Sequence, residues 1–422
     1  MGAVRTGVKV AEARKIVLEW AAVPLPAETV AAQQALGRVL AEPVRSSRTL
    51  PPADCSAMDG FALRAADLTG VSPGAPRRLK VAFEVRPGGP SPPPLPAGQA
   101  ARIFTGAPLP PGADSVVRQE EARALPEAVE LQSVPELGAH VRRAGEDVRA
   151  GDVVLERGVG LGPAELGMLA SLGRSVVRVH RRPRVALLSS GDELVEPDAD
   201  ASGGRIVGSN VYALAAQCRE AGAEPLNLGI ARDTPEELEE RIRAGLGADL
   251  LVSSAGVSVG DHDHVRPVLE KLGCRLLFWG VRMKPGYPLA FGRFEREGGP
   301  LVFGLPGNPV SAMVTFELFV RPLLLRLAGW RACFRPLLPA VLGEPLRKKP
   351  GRQHFVRVRL ERRGERWVAH STGSQSSGVL RSMVLADGLL AFGEDETELA
   401  AGAPVSVLLL DSRVLAREDS GS

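Results

Sequence analysis

Between Arg184 and Leu327, short apolar runs alternate with amphipathic stretches. VALLSS is followed by helical spacing over 210–221, EPLNLGIA by TPEELEERIRAGL, and DLLVSS by a helix predicted over 264–272. CRLLFWG, PLAFGRF and LVFGL then lead into a long helix predicted over 308–327. Buried strands alternating with helices in this way predict an α/β domain with a doubly wound, mostly parallel sheet.

The flanking segments read differently. Val10, Ala13, Ile16, Val17 and Trp20 recur at helical spacing over 8–22, and Pro24 and Pro26 end that helix. A second short helix is expected over 30–40. From 48 to 150, β-branched runs (79–85, 101–104, 115–117, 128–131) alternate with Pro/Gly turns, and GGPSPPPLPAG at 88–98 reads as an exposed connection. This is a small β-rich domain. A helix over 161–173 opens near Pro163 and closes at Gly173. After Trp330 helical spacing disappears, and short runs at 354–360, 367–370, 389–392 and 405–410 predict a terminal β-barrel or sandwich.

Composition narrows the class. The chain has 422 residues, 44% hydrophobic and 24% charged, and a formal net charge of +3. That is a globular composition, large enough for several cores, without the basic excess of a nucleic-acid binder. The four cysteines, Cys55, Cys218, Cys274 and Cys333, form no CxxC pair, so reduced thiols in a cytoplasmic protein are expected. The N-terminal residues have no apolar export segment. The apolar stretch 312–330 is interrupted by Glu317, Arg321 and Arg326 and reads as a core helix, not a membrane span. Walker A and HExxH motifs are absent from the sequence, and no GxGxxG follows a predicted strand.

Three loops after predicted strands carry the candidate chemistry. In LLSSGDELVEP (187–197), Ser189, Ser190 and Gly191 offer hydroxyls and open backbone, while Asp192 and Glu193 offer hard oxygens for Mg²⁺. The same residues would equally cap and solvate a turn. In LVSSAGVSVGDHDH (251–264), the serines and glycines Ser253, Ser254, Gly256, Ser258 and Gly260 could cradle a phosphate. Asp261 and Asp263 follow at the carboxyl end of a strand, where such sheets bind ligands. His262 and His264 have no evident third ligand for zinc, so oxygen ligation of Mg²⁺ is preferred. In VFGLPGNPVSA (302–312), Asn308 and Pro309 suit a helix start, and Gly307 and Ser311 would add anion donors. Lys284 lies between the last two loops beside a Pro-Gly turn.

Taken with DCSAMDGFALR (54–64), RIFTGAPLPPGADSVV (102–117), RRAGEDVRAGD (142–152) and MKPGYPLAFG (283–292), these loops make the chain resemble the MoeA/gephyrin E-domain family of molybdopterin molybdenumtransferases. The resemblance implies Mg²⁺-dependent hydrolysis of adenylylated molybdopterin, with insertion of molybdenum from molybdate and release of AMP. It implies catalytic roles for Asp263, Glu193, Asp59, Asp147, Asp233 and Thr105, with Glu193, Asp263 and Asp261 serving Mg²⁺. Substrate binding would fall to Ser190, Gly256, Ser258, Gly260, Gly307, Asn308 and Pro309, and the molybdate pocket to Lys284, Ser311, Arg357 and Ser377. The implied domains are a discontinuous α/β domain (1–26 and 174–330), a linking domain (27–47 and 151–173), the β-rich domain (48–150) and a C-terminal β-barrel (331–422). A cytoplasmic homodimer is implied, with molybdopterin adenylyltransferase and downstream molybdoenzyme maturation factors as partners, and no nucleic acid or membrane.

Four positions, in three departures, differ from the family pattern. Tyr287 stands where many bacterial members have the second lysine of KPGKP, which removes a charge from the expected oxyanion pocket. Ala255 replaces a glycine, and His262 and His264 replace small or aromatic residues. Two other readings are weighed: the adenylyltransferase, which has a similar sheet but is usually one compact domain, and a scaffold without turnover. The flanking β-rich segments oppose the first; retention of Glu193, Asp263 and Lys284 opposes the second.

Overall fold

The computed structural model describes residues 4–254 and 264–416. Chain contacts divide it into two units, one of residues 1–41, 158–163 and 176–422, the other of 42–157 and 164–175.

In the first unit, the strand Arg184–Ser190 shows why the sheet is covered on both sides. Val185 and Leu187 belong to one core and Ala186 and Leu188 to another, because successive side chains of a strand point to opposite faces. The first core takes side chains from the helices Val10–Glu19, Asn210–Glu220 and Arg321–Leu327, and the second from Pro235–Gly245 and Val265–Lys271. The seven strands run in the order Arg5–Val8, Cys274–Val281, Ala290–Phe294, Leu301–Leu305, Leu250–Ser254, Arg184–Ser190, Glu224–Ala231. Ala290–Phe294 is antiparallel to both neighbours and every other pairing is parallel, so the doubly wound sheet is mixed in one place.

The C-terminal segment is a closed barrel. Gln353–Arg363 pairs with Arg366–Ser371, then Leu337–Leu342, Pro404–Leu409 and Gly388–Phe392 follow, and the last returns to Gln353–Arg363. Its interior holds Leu342, Val356, Val358, Leu390, Phe392 and Val407. Phe355, Met383, Leu389 and Leu408 instead join the first core of the α/β sheet, so the barrel packs on that domain through apolar side chains. Met283–Lys284 adds in parallel to the start of Gln353–Arg363, placing Lys284 opposite His354.

The second unit is built on a six-stranded sheet ordered Ser115–Arg118, Gly60–Leu63, Gln99–Ile103, Arg77–Val85, Ala128–Leu131, Ala122–Leu125. Gly60 is required there: a Cβ would lie 2.0 Å from the Val117 carbonyl oxygen.

Local expectations fail in three places. Arg5–Val8 is a strand where only the following helix was expected. The helix expected over 30–40 is instead the strand Ala27–Ala31 followed by one 3-10 turn, Ala32–Gln34. Val30 there pairs with Val177, and long-range pairing outweighs weak helical periodicity. A short helix, Arg381–Val384, also interrupts the terminal β region. No helix among the described residues is long and apolar enough to cross a membrane.

Candidate functional site

Strand order places the site. From Arg184–Ser190 the chain crosses to Glu224–Ala231 on one side, whereas from Leu250–Ser254 it proceeds to Cys274–Val281 on the other. Neighbouring parallel strands whose connections leave in opposite directions open a crevice at their carboxyl ends. Ser189 and Ser254 face each other there, their hydroxyls 3.2 Å apart. The Ser190 hydroxyl is buried and has no hydrogen-bond partner among the described residues. A buried polar atom left unpaired costs stability unless something else satisfies it.

Carboxylates gather beside that crevice. The Gly191 amide donates to the Ala231 carbonyl at 3.2 Å, and the Asp233 amide to Asp192 Oδ1 at 3.2 Å, tying the two strand ends together. The Glu193 carboxylate folds back over Gly191, where a Cβ would stand 2.6 Å from Oε2. Burial, then the charges of Asp192 and Glu193, push the Asp233 carboxyl above its usual range, with His264 opposing them. The described residues alone contain no group of three or more His, Cys, Asp or Glu spaced to hold a metal. The donor set nevertheless fits Mg²⁺: hard oxygens, surplus negative charge and an unsatisfied hydroxyl.

The third loop meets the barrel. Asn308 is the N-cap residue of the helix Pro309–Thr315, but its side chain makes no capping bond, so capping alone does not account for it. Asn210 donates to the Gly307 carbonyl at 2.7 Å. The Val310 amide donates to the Ser377 carbonyl at 3.2 Å, and Ser311, next along, is buried. Gly286, at φ +104°, packs so closely on Thr315 that a Cβ would lie 2.5 Å from Cγ2, which seats the Lys284 turn against the same helix.

At the start of the Lys284 turn lies a cavity of about 600 Å³ lined by Lys284, Lys348, Lys349, Arg352, His354 and Arg357, among others; Ser311 and Ser377 are not in its lining. Arg357 is only 1% exposed, yet its guanidinium bonds neutral groups alone: Ser382 Oγ and the Ser376 carbonyl, both at 3.2 Å. No carboxylate among the described residues pairs with it, and burial lowers its pKa to about 10. Burial, followed by the charges of Lys284, Lys348 and Arg352, lowers His354 to about 4. A buried cation without a counter-ion in a cavity of further cations is an arrangement that an oxyanion would complete. Lys348, Lys349, Arg352 and His354 went unrecognised in the sequence, although KKPGRQH directly precedes the segment that supplied Arg357.

Tyr287 does not line this cavity. Its hydroxyl lies toward Gly7 and Gly280, and its ring toward Arg352.

In the second unit, three motifs converge. The Ser56 amide donates to the Ala107 carbonyl at 3.0 Å, and Val141–Arg142 pairs with Cys55–Ser56. Arg143 Nη1 and the Ala144 amide hold Asp54 at 2.6 and 2.9 Å. Thr105 bonds Asp59 through both its amide and its hydroxyl, and the Asp147 amide donates to the Leu50 carbonyl at 3.1 Å. Gly256, Ser258, Gly260, Asp261 and Asp263, with Ala255 and His262, lie outside the described residues.

Comparison with known proteins covers nearly the whole chain. The family model for the MoeA N-terminal region (domains I and II) matches residues 8–173, that for a probable molybdopterin binding domain 186–326, and that for the MoeA C-terminal region (domain IV) 339–410. A molybdopterin molybdenumtransferase of Nostoc sp. is 39% identical over 377 residues, 89% of this chain and 86% of that one. Another, of Haemophilus influenzae, is 36% identical over 401 residues, 94% of this chain and 97% of that one. The crystal structure of a molybdopterin biosynthesis MoeA protein from Pyrococcus horikosii superposes with a TM-score of 0.81 at 32% identity, over 96% of this chain and all of that one. With its mixed sheet, its closed barrel and relatives that span nearly its whole length, the chain belongs to the MoeA family.

Proposed function

We propose that this chain inserts molybdenum into adenylylated molybdopterin, hydrolysing the phosphoanhydride in a Mg²⁺-dependent step that releases AMP. The observation that carries the reading is Arg357, a buried guanidinium without a carboxylate partner among the described residues, facing a cavity that Lys284 also lines. Molybdate is a tetrahedral dianion, and an arginine fork, lysines and hydroxyls are its natural donors. Lys284, Ser311, Arg357 and Ser377 are assigned to it.

At the crevice, Ser190 with Gly256, Ser258 and Gly260 would hold the pterin or its phosphate, and Gly307, Asn308 and Pro309 would border it. Glu193, Asp261 and Asp263 would hold Mg²⁺, which when bound neutralises charge on the two phosphates. Asp233, at the neighbouring strand end, is assigned a catalytic role. Asp59, Thr105 and Asp147 are assigned catalytic support. Hydrolysis consumes one water. Replacing one oxo group of molybdate by two thiolates releases one water, with both thiol protons and no change of oxidation state. A cytoplasmic homodimer belongs to the same reading.

The test is incubation of the purified protein with adenylylated molybdopterin, Mg²⁺ and molybdate, followed by AMP measurement. Molybdate-dependent AMP release is expected. A requirement for ATP, or consumption of AMP, would overturn the reading in favour of the adenylyltransferase.

A further inference from the structure

We propose that Tyr287 is a positioning residue for the oxyanion cavity, its ring serving as the platform that holds the Arg352 guanidinium at the cavity wall. The inference rests on the oxyanion reading of that cavity given above.

The platform is rigidly made. The Tyr287 carbonyl accepts from the Val281 amide at 2.9 Å and from the Leu289 amide at 2.8 Å, so its backbone is clamped on both sides of the turn. Trp279 meets the ring edge-on, with centroids 5.8 Å apart and planes at 85°. Below lies a floor of glycine. A Cβ on Gly280, at φ +79°, would sit 3.3 Å from both Cζ and Oη of the tyrosine, and one on Gly7 would sit 3.8 Å from Oη. The ring therefore has one open side, and Arg352 occupies it, with Cζ 4.5 Å from the ring centroid.

Arg352 differs from Arg347, Lys348 and Arg357 of the same wall in what holds it. Arg347 is paired with Glu398, Lys348 with the Glu394 carbonyl and the Phe392 ring, and Arg357 with Ser382 and Ser376. For Arg352, the Tyr287 ring is the one contact found among the described residues. The arginine is exposed and immediately precedes the strand Gln353–Arg363, whose next residue but one, His354, faces Lys284. An unheld arginine here would lose its orientation to rotamer freedom. Stacked on a ring, its N–H fork keeps one plane, which suits two oxygens of one oxyanion. Tyrosine at 287 thus contributes to the cavity indirectly, by fixing a cation that another segment supplies.

The experiment is molybdate binding by calorimetry to the full chain, with thermal unfolding as a control for folding. Tyr287→Leu is expected to weaken binding by about two- to fivefold, the worth of an exposed cation–π contact. Tyr287→Phe keeps the ring and is expected to bind as wild type. Arg352→Ala is expected to weaken binding, and adding Tyr287→Leu to it to cost nothing more. Wild-type binding by Tyr287→Leu, equal losses in the Phe and Leu variants, or additive losses in the double variant would each overturn the proposal. The stacking also has a readout free of any anion. Arg352 side-chain proton resonances should be shifted upfield by the ring in the wild type and in Tyr287→Phe, and not in Tyr287→Leu. If the wild type binds no molybdate while this ring shift is present, the oxyanion reading fails and the platform stands; absence of the shift in the wild type overturns the platform itself.

Discussion

Thr105 donates twice to the same oxygen of Asp59: its backbone amide and its hydroxyl both reach Oδ1 at 2.8 Å. The amide, then the hydroxyl, hold the Asp59 carboxyl below its usual range, and nearby Arg102 adds to the effect. Bonds to a charged form favour that form. The two residues lie far apart in sequence, in SAMDG and TGAPLP, and the pairing brings both motifs to one place.

Removing half of that arrangement gives a graded outcome. Thr105→Val keeps the amide and loses the hydroxyl, so the Asp59 pKa should rise part of the way toward the ordinary ~3.9, while Thr105→Ser should leave it low. Because the native pKa is depressed, the associated stability is present above the ordinary carboxylate pKa and is lost as pH falls through the native value; Thr105→Val narrows that window. Carboxyl carbon NMR titration of Asp59 checks both variants. Identical titration curves for wild type and Thr105→Val would show that the hydroxyl contributes nothing.

Asp233 is the reverse case. Its pKa is raised by burial and by Asp192 and Glu193, so between the unfolded and native values the native state binds more protons, and stability falls as pH rises. At neutral pH the ionised cluster is under repulsion. Asp233→Asn should therefore raise Tm in Mg²⁺-free buffer, by roughly 1–2 °C for each kcal/mol relieved in a chain of this length, and should reduce the further rise that Mg²⁺ produces. Differential scanning calorimetry with and without Mg²⁺ decides it. A lower Tm in the variant would mean that Asp233 makes a favourable contact that the repulsion argument ignores.

His354 reports on the cavity. Its pKa falls from the ordinary 6.5 to about 4, first through burial and then through Lys284, Lys348 and Arg352. In that interval the unfolded chain binds the proton and the native one does not, so stability rises with pH across it and is lost on acidification from about 6.5 toward 4. An oxyanion bound among the same cations should pull the His354 pKa upward. Imidazole NMR titration with and without molybdate measures the shift. A pKa unmoved by saturating molybdate would place the anion elsewhere.

The sheet was legible because its signal is local and repeated. After the exposed Arg184, every side chain from Val185 to Ser190 is apolar or small, and both faces are indeed buried. Arg5–Val8 was not legible, since four residues at a sheet edge carry no period of their own and gain their conformation by pairing with Phe278, Trp279 and Val281. The candidate site divides along the same line. Loops at strand ends, such as 191–193 and 306–308, are marked by the strands before them. The cations of KKPGR are not, because only closure of the barrel and its pairing with Met283–Lys284 turn them toward Lys284. The helix start at Asn308 and Pro309 was legible from residue type, although the side-chain bond that such a cap residue usually makes is not formed.

Arg357 offers the sharpest separation of function from stability. A buried guanidinium has lost its hydration, and here the compensation comes from a serine hydroxyl and a carbonyl, with no carboxylate among the described residues. Replacing a buried ion pair by apolar side chains of similar volume is often neutral or stabilising, by about 1–4 kcal/mol, and a buried cation with no counter-ion has less attraction to lose. Arg357→Met should therefore unfold at the same temperature as the wild type or higher in oxyanion-free buffer. The wild type should gain stability with molybdate, by about 2.7 kcal/mol at a hundredfold excess over Kd, and Arg357→Met should gain almost none. Arg357→Lys keeps a charge but loses the fork, and should recover only part of the molybdate effect. Thermal unfolding of the three proteins across a molybdate titration reads all of this at once. A strongly destabilised Arg357→Met that still responds fully to molybdate would make Arg357 a structural residue and move the oxyanion site away from it.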